Sequence, residues 1–430
     1  MSGGHDTSPQ TLATDRDLLA AMFDAAVGAA KPWQQICRFL PPPPSGRTLV
    51  IGAGKAASQM ARAVDEVWKG KLEGLVITGK TYSVQCDRIQ VMDAAHPVPD
   101  EAGFDATARL LELVRGLTEH DLVIAVISGG GSAMMPAPAS GLTLEDEKAI
   151  NRSLLASGAP IGVMNLIRNQ FSLVKGGRLA LACHPAKVVT LVLSDIPSDD
   201  ATLVASGPTL PMNQNRARAR ELAALYRVKL PAAAEQVLLS DLNLAPSTSD
   251  PRFLRNEVHV VGSAAGSINA ACEAAKAHGL VANVLSTSTE GEASVVGSVH
   301  ASLVREMQQS GRPFSSPSVL LSGGETTVSL RGNGRGGRNT EFLLAFAIGI
   351  DGVAGVSALA ADTDGIDGSE HNAGAFADGT SALRMRRQGI DPVAALLNND
   401  AYSAFEAIGD LFVTGPTGTN VNDFRAIVVR

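Results

Sequence analysis

Glycine-rich words, one lysine, a run of arginines and a few carboxylates at the ends of apolar stretches are the residues whose types and spacing could do chemistry. Ser128-Gly129-Gly130-Gly131-Ser132 directly follows the apolar run Leu122 to Ile127. Consecutive glycines let a chain turn tightly and let a ligand approach the main chain, and N–H groups exposed in such a loop suit phosphate oxygens. Upstream, Gly52-Ala53-Gly54-Lys55-Ala56-Ala57 has the G-x-G-x-x-A shape of a dinucleotide-binding turn, but with a cation inside it. Downstream, Ser322-Gly323-Gly324-Glu325-Thr326 follows Val319 to Leu321 and reads as a second glycine turn. Arg331, Arg335 and Arg338 then fall within eight residues with no acid between them. Planar guanidinium groups suit phosphate or carboxylate.

Two acidic positions complete the inventory. Asp195 stands just past the apolar run Val188 to Leu193, where a carboxylate can hold Mg²⁺ or accept a proton. The stretch Asp362-Thr363-Asp364-Gly365-Ile366-Asp367-Gly368 hints at a cation site, with Asp364 as the candidate ligand. It is no EF-hand, because its sixth position lacks glycine and Ala373 stands at the twelfth.

These groups together fit phosphoryl transfer, where catalysis is mainly positioning and charge neutralisation. The chain is not read as a P-loop enzyme or a protein kinase, and it has neither a Cys/His metal array nor a nucleophile elbow. The competing reading is an NAD(P)H-dependent reductase. An NAD site calls for an acid after the second strand to hold the ribose hydroxyls, and Gly79-Lys80 stands there instead. NADP remains compatible with Lys80. A third reading is a nucleotide-binding regulatory protein without turnover.

The elements that must position these residues alternate along the chain. Short apolar, β-branched runs (Thr48 to Ile51, Gly74 to Thr78, Leu122 to Ile127, Val188 to Leu193) read as buried parallel strands. Between them Ala56 to Lys69, Glu101 to Arg115 and Leu144 to Ser157 read as helices, the last capped by Thr143. Arg16 to Ala30 is an amphipathic helix. Met164 to Leu181 carries Arg168, Lys175 and Arg178 around Gly176-Gly177. Leu242 to Arg252 reads as a linker, after which Glu257 to Val261 opens a second set of strands and helices that ends in Arg425 to Val429. The expected architecture is α/β with two domains, 12–250 and 251–430, each offering a glycine turn to a cleft between them.

At 430 residues the chain is too long for one core. Its net charge of −7 and lack of a basic run argue against a nucleic-acid surface. No apolar run approaches a membrane span of ~20 residues. Cys37, Cys86, Cys183 and Cys272 are far apart and read as reduced thiols of a cytoplasmic protein.

Taken in order, the words Gly52–Ala57, Ser128–Ser132, Lys175-Gly176-Gly177-Arg178, Ser194-Asp195-Ile196-Pro197, Ser206-Gly207-Pro208-Thr209, Leu321–Thr326, Gly336-Gly337-Arg338-Asn339, Asp362–Gly368 and Gly415–Asn420 make the chain resemble the glycerate 2-kinases that end in a MOFRL domain. Members of that family were often labelled hydroxypyruvate reductases. The resemblance runs from about Asp17 to the C-terminus. It implies a larger Rossmann-like, three-layer α/β/α domain and a smaller mixed α/β C-terminal domain. It also implies phosphorylation of D-glycerate at its 2-hydroxyl by ATP with a divalent cation. Lys55 and Arg338 match family residues that look catalytic. Asp195 is added as base or metal ligand from its place at a strand end. Gly52, Gly54, Ser128, Gly129, Gly130, Gly131, Ser132, Gly323, Gly324 and Glu325 are the expected nucleotide contacts, and a homo-oligomer is compatible with the sequence. One departure stands out. Relatives usually carry Arg-Lys-His where this chain has Arg168-Asn169-Gln170, and Ser198 replaces a common glycine.

Overall fold

The computed structural model describes residues 14–196, 199–213, 215–240 and 244–430. The stretch Met1 to Gln10 lies outside them, as do Pro197, Ser198 and the first part of the expected linker. The chain divides into two compact units, one of residues 32–262 and the other of the N-terminal helix with residues 263–430.

The first unit is built on a six-stranded sheet, β1 (Thr48–Ala53), β2 (Glu73–Thr78), β3 (Ile89–Asp93), β4 (Leu122–Ser128), β5 (Lys187–Leu193) and β6 (Glu257–Gly262). The strand order is β3-β2-β1-β4-β5-β6, and every pairing is parallel. This is the doubly wound order, whose reversal point lies between β1 and β4. Every residue of β1 and β4 is buried, so the sheet is covered on both faces. That is why these strands read as unbroken apolar runs rather than alternating ones. Leu49, Ile51, Val123, Ala125 and Ile127 pack on one face with Ala106 and Leu110 of the helix Glu101–Leu113. Thr143 caps the helix Leu144–Ala156 in a full capping box with Asp146, as expected.

The second unit carries β7 (Val281–Glu292), β8 (Ser318–Thr327), β9 (Val356–Asp362), β10 (Gly374–Asp378), β11 (Leu411–Phe412) and β12 (Asp423–Val429). Their order is β11-β10-β9-β12-β8-β7. Only β7 and β8 run parallel, and β12 lies antiparallel between β8 and β9. Leu320, Ile427 and Val429 face a layer containing Phe342 and Phe346 of the helix Arg338–Gly349. Val319, Leu321, Ala426 and Val428 face the opposite layer, which includes Leu19, Met22 and Phe23.

Two expectations about the chain's organisation change. The helix Asp15–Ala30 was placed in the first domain, but its apolar stripe buries against the second sheet. Arg16 also pairs with Asp410 at 2.6 Å, and Thr419 Oγ1 donates to the carbonyl of Ala30 at 2.8 Å. Conversely, Glu257 to Val261 was placed at the start of the second domain. It forms β6, hydrogen-bonded to β5 in the first sheet. The boundary near residue 250 therefore differs from the division made by packing, because sequence order does not reveal which sheet an amphipathic element covers.

The second glycine word also differs from expectation. Ser322 to Thr326 is no turn; it lies inside β8, paired with β12 on one side and β7 on the other. Gly324 adopts φ 115°, and a Cβ there would lie 2.2 Å from the Thr289 nitrogen. The glycine admits β7 across an irregularity in the pairing between Ser286 and Thr289.

Candidate active site

The reversal point of the parallel sheet brings together the first two glycine words. In open α/β sheets this crevice, at the carboxyl ends of the strands, is where ligands bind. Lys55 leaves β1 beside the β4 loop, and its main-chain N–H donates to the Gly129 carbonyl at 2.8 Å. Its side chain is half-buried. Ser128 Oγ accepts from the Ala56 N–H at 3.0 Å, so this hydroxyl holds the Lys55 turn in place.

The glycines divide by what replaces their missing side chains. A Cβ on Gly52 would meet the Val126 carbonyl oxygen at 1.8 Å, and one on Gly54 would meet Ser128 Oγ at 2.3 Å. Both therefore serve close packing of β1 on β4 and its loop, rather than the open contact with nucleotide that was expected. Gly129 differs, because a Cβ there would lie 1.6 Å from Asp195 Oδ2. The Asp195 carboxylate thus seats directly on the glycine loop. Gly130 has φ 79°, with the His96 ring against it, and leads into the single helical turn Gly131–Met134. Desolvation, and secondly the charge of Lys55, hold His96 below its ordinary imidazole pKa.

Behind the loop lies a buried polar layer that takes in Arg168, Lys175 and Arg178. Lys175 and Glu147 form an ion pair at 2.7 Å with side chains only 1% and 3% exposed. Burial lowers the Lys175 pKa, and Glu147 opposes that shift. Arg168 is also buried and is pulled down to about 10, which leaves it protonated at neutral pH. It donates to Asn151 Oδ1 at 2.9 Å and to Asn165 Oδ1 at 3.0 Å. Arg178 donates to the carbonyls of Asn169 and Lys175, both at 2.9 Å. Asn169 and Gln170 are buried; Asn169 Nδ2 meets Met212 Sδ at 3.3 Å.

The sequence reading that excluded a P-loop needs one correction. Gly74 to Thr81 reads G-L-V-I-T-G-K-T and satisfies that spacing. The residues between its two glycines form β2, however, and a P-loop needs them as the loop that follows a strand. Lys80 is exposed past the strand end.

In the second unit Arg338 begins the helix Arg338–Gly349 and spends its guanidinium on three carboxylates. These are Asp423 Oδ1 at 2.6 Å, Asp362 Oδ2 at 2.7 Å and Glu325 Oε1 at 3.1 Å. Burial opposes its charge most strongly, yet the three acids together raise its pKa. Burial pushes Asp362 well up, against the pull of Arg338, whereas Arg425 and Arg338 outweigh burial and hold Asp423 down. Asp367 caps the helix by accepting from the Asn339 and Thr340 N–H groups at 2.9 and 2.8 Å. A cavity of about 710 Å³ opens here, lined by Glu325, Gly337, Arg338 and Glu341 among others.

The arginine loop is less free than three unopposed cations suggested. Arg335 pairs with Glu370 at 2.6 Å and lies over the Tyr402 ring. Asn399 Oδ1 accepts from the main chain of Arg331 and Gly332. Asp364 accepts from the Ile366 N–H at 2.8 Å. Asp195 and Asp364, the two expected metal ligands, belong to different units, and among the described residues no group of three His, Cys, Asp or Glu side chains could hold a metal. Mg²⁺ needs fewer, since it is commonly held by one or two carboxylates and the substrate phosphates.

Sequence reasoning missed Asp423, Asp362 and the buried Arg425. The signal was present in Asp423-Phe424-Arg425, where an acid and a base flank the start of an otherwise apolar strand. It also missed the role of Ser206, whose Oγ lies 3.0 Å from that of Ser132.

Comparison with known proteins places these features. A family model described as a domain of unknown function (DUF4147) matches residues 18–239, and the MOFRL family matches residues 318–423. D-glycerate 2-kinase of Thermotoga maritima is 38% identical over 411 residues, 95% of this chain and 97% of that protein. The crystal structure of glycerate kinase from Thermotoga maritima superposes with a TM-score of 0.86 at 37% identity, covering 96% of this chain and 99% of that one. A protein of Agrobacterium vitis, provisionally named hydroxypyruvate reductase, is 46% identical over 417 residues, 96% of this chain and 94% of that protein.

Proposed function

Because the chain belongs to the family that joins a DUF4147 domain to a MOFRL domain, we propose that it is a glycerate 2-kinase, moving the terminal phosphoryl group of ATP to the 2-hydroxyl of D-glycerate. The observation that carries this reading is the identity with D-glycerate 2-kinase of Thermotoga maritima along nearly the whole of both chains. The site supports it, with a cation and a glycine loop meeting at the reversal point of a doubly wound sheet.

In this reading the triphosphate lies along Gly129 to Ser132, with Lys55 neutralising its charge. A loose phosphoryl transition state asks for placement and charge compensation more than for a strong base. The Asp195 carboxylate, seated on Gly129, is therefore assigned to hold the divalent cation rather than to take the proton. That cation, when bound, offsets charge on the phosphoryl oxygens. Arg338 pairs with the substrate carboxylate through the guanidinium edge that now faces Glu325. Of its three acidic partners, Glu325 is the exposed one, with a side chain 53% accessible.

The reductase reading draws on the name given to the Agrobacterium vitis relative. Against it, Gly79 and exposed Lys80 follow β2 where an NAD site calls for an acid. Incubation with D-glycerate, ATP and Mg²⁺, followed by phosphorus NMR, tests both. A 2-phosphoglycerate resonance that vanishes without Mg²⁺ is the expected result. A 3-phosphoglycerate resonance overturns the position of transfer. No product, with NADH consumed on addition of hydroxypyruvate, gives the case to the reductase.

A further inference from the structure

The word Ser206-Gly207-Pro208-Thr209 has no role in the reaction described so far, yet the chain strains its backbone to place it. Ala205, Ser206 and Gly207 adopt φ of 50°, 63° and 58° in succession. Left-handed geometry is costly for residues other than glycine, and such strain gathers at functional sites. Here it brings Ser206 Oγ to 3.0 Å from Ser132 Oγ and 2.8 Å from Asn165 Oδ1.

The direction of these bonds follows from counting protons. Asn165 Nδ2 donates to the Leu203 carbonyl at 2.9 Å, which fixes the amide with its oxygen toward Ser206. Two oxygens 2.8 Å apart need a proton between them, and an amide oxygen has none, so Ser206 donates its only hydrogen to Asn165. The Ser132–Ser206 contact must then use the Ser132 hydrogen. Arg168 Nη1, 3.4 Å from Ser206 Oγ, approaches as a further donor and cannot reverse this order. Ser132, half-buried at the end of the glycine loop, is left with lone pairs and no proton to give.

A phosphate oxygen needs a donor, and Ser132 is not one. Asp195, just past β5, sets a carboxylate oxygen where a Cβ of Gly129 would stand, three residues before Ser132. Two hard oxygens, from the loops that follow the neighbouring strands β4 and β5, suit a divalent cation that completes its shell with phosphates and water. We infer that Ser132 Oγ is a ligand of the divalent cation that accompanies the nucleotide, oriented for that role by Ser206, Asn165 and Arg168. The inference rests on the kinase reading and assigns a part within it.

Calorimetric titration of ATP, once with Mg²⁺ and once with EDTA, tests it in the wild type, Ser132→Ala and the near-isosteric Ser132→Cys. Ser132→Ala is expected to weaken binding about tenfold with Mg²⁺, the order of effect seen when a metal site loses support, and to leave binding in EDTA unchanged. Ser132→Cys is expected to recover affinity when Cd²⁺ replaces Mg²⁺, since thiolate prefers the softer ion. Equal losses with and without Mg²⁺ overturn the inference and make Ser132 a phosphate contact. Unchanged ATP binding with a raised KM for D-glycerate also overturns it, in favour of a contact with the substrate hydroxyl. A wild type that binds no ATP in either condition removes the kinase reading itself.

Discussion

Arg338 donates from Nε to Oδ1 of Asp423 at 2.6 Å, and that aspartate is fully buried at the head of β12. The same Oδ1 accepts from Asn339 Nδ2 at 2.8 Å, while Oδ2 accepts from the Thr326 N–H at 3.2 Å and from Arg425. One carboxylate thus joins β8, β12 and the start of the helix that bears Arg338. The arginine is a fixed group aimed by the sheet, not a loop cation that searches for its ligand. Such pre-organisation is what transition-state charge stabilisation requires.

Replacing Arg338 by Ala is therefore expected to have two separable effects. Turnover at low D-glycerate, kcat/KM, should fall by more than ~10²-fold, because the substrate carboxylate loses the guanidinium assigned to it. Stability should fall by about 3–5 kcal/mol, because Asp362 remains buried without its cation while Asp423 keeps Arg425. Urea denaturation and steady-state kinetics read the two separately. Near-normal turnover in the folded variant removes Arg338 from the mechanism.

Glu325 gives a prediction of the opposite sign. It meets Arg338 Nη1 at 3.1 Å with a half-exposed side chain, so it competes for the edge assigned to the substrate carboxylate. Ion pairs of this exposure contribute about 0–1 kcal/mol. Glu325→Gln should accordingly lower the KM for D-glycerate by up to about fivefold, with kcat little changed. A KM that rises would mean that Glu325 helps to bind the substrate instead.

How legible this was in the sequence depended on the range of the interaction. Strands buried on both faces announce themselves as unbroken apolar runs, so β1, β2, β4 and β5 and the glycine loop after β4 were readable. Thr143 and Asp146 signal their helix start because capping is local. Gly129 and Gly324 look alike as letters. Only the tertiary neighbour, the Asp195 carboxylate for one and the Thr289 main chain for the other, tells a loop packed on a carboxylate from a strand–strand approach. Asp423 and Asp362 lie far along the chain from Arg338, and nothing local links them. The sheet that the helix Asp15–Ala30 covers was hidden for the same reason.

Lys175 is predicted to act through the fold. Its ammonium pairs with Glu147 in a fully buried layer. Removing one partner of such a pair leaves an uncompensated charge and costs about 3–5 kcal/mol. Lys175→Met should therefore lose that much in urea denaturation, while the double variant Lys175→Met with Glu147→Gln should recover most of it. If Lys175→Met keeps full stability but loses ATP binding, Lys175 is a ligand contact and the pair is not structural.

His96 gives a reporter for the position of Lys55. Its ring lies against Gly130, and desolvation together with the Lys55 charge disfavours the imidazolium. Both causes act in one direction, so the ring should titrate below ~6.5 in NMR. The sign for a variant follows directly. Lys55→Met removes the cation and leaves the desolvation, so the His96 pKa should move up toward its ordinary value without reaching it. Bound triphosphate should also raise it in the wild type, because phosphate charge near Lys55 cancels the repulsion. A His96 pKa that is the same in wild type and Lys55→Met would place the ammonium away from the glycine loop. It would also remove Lys55 from the set of groups that neutralise the triphosphate.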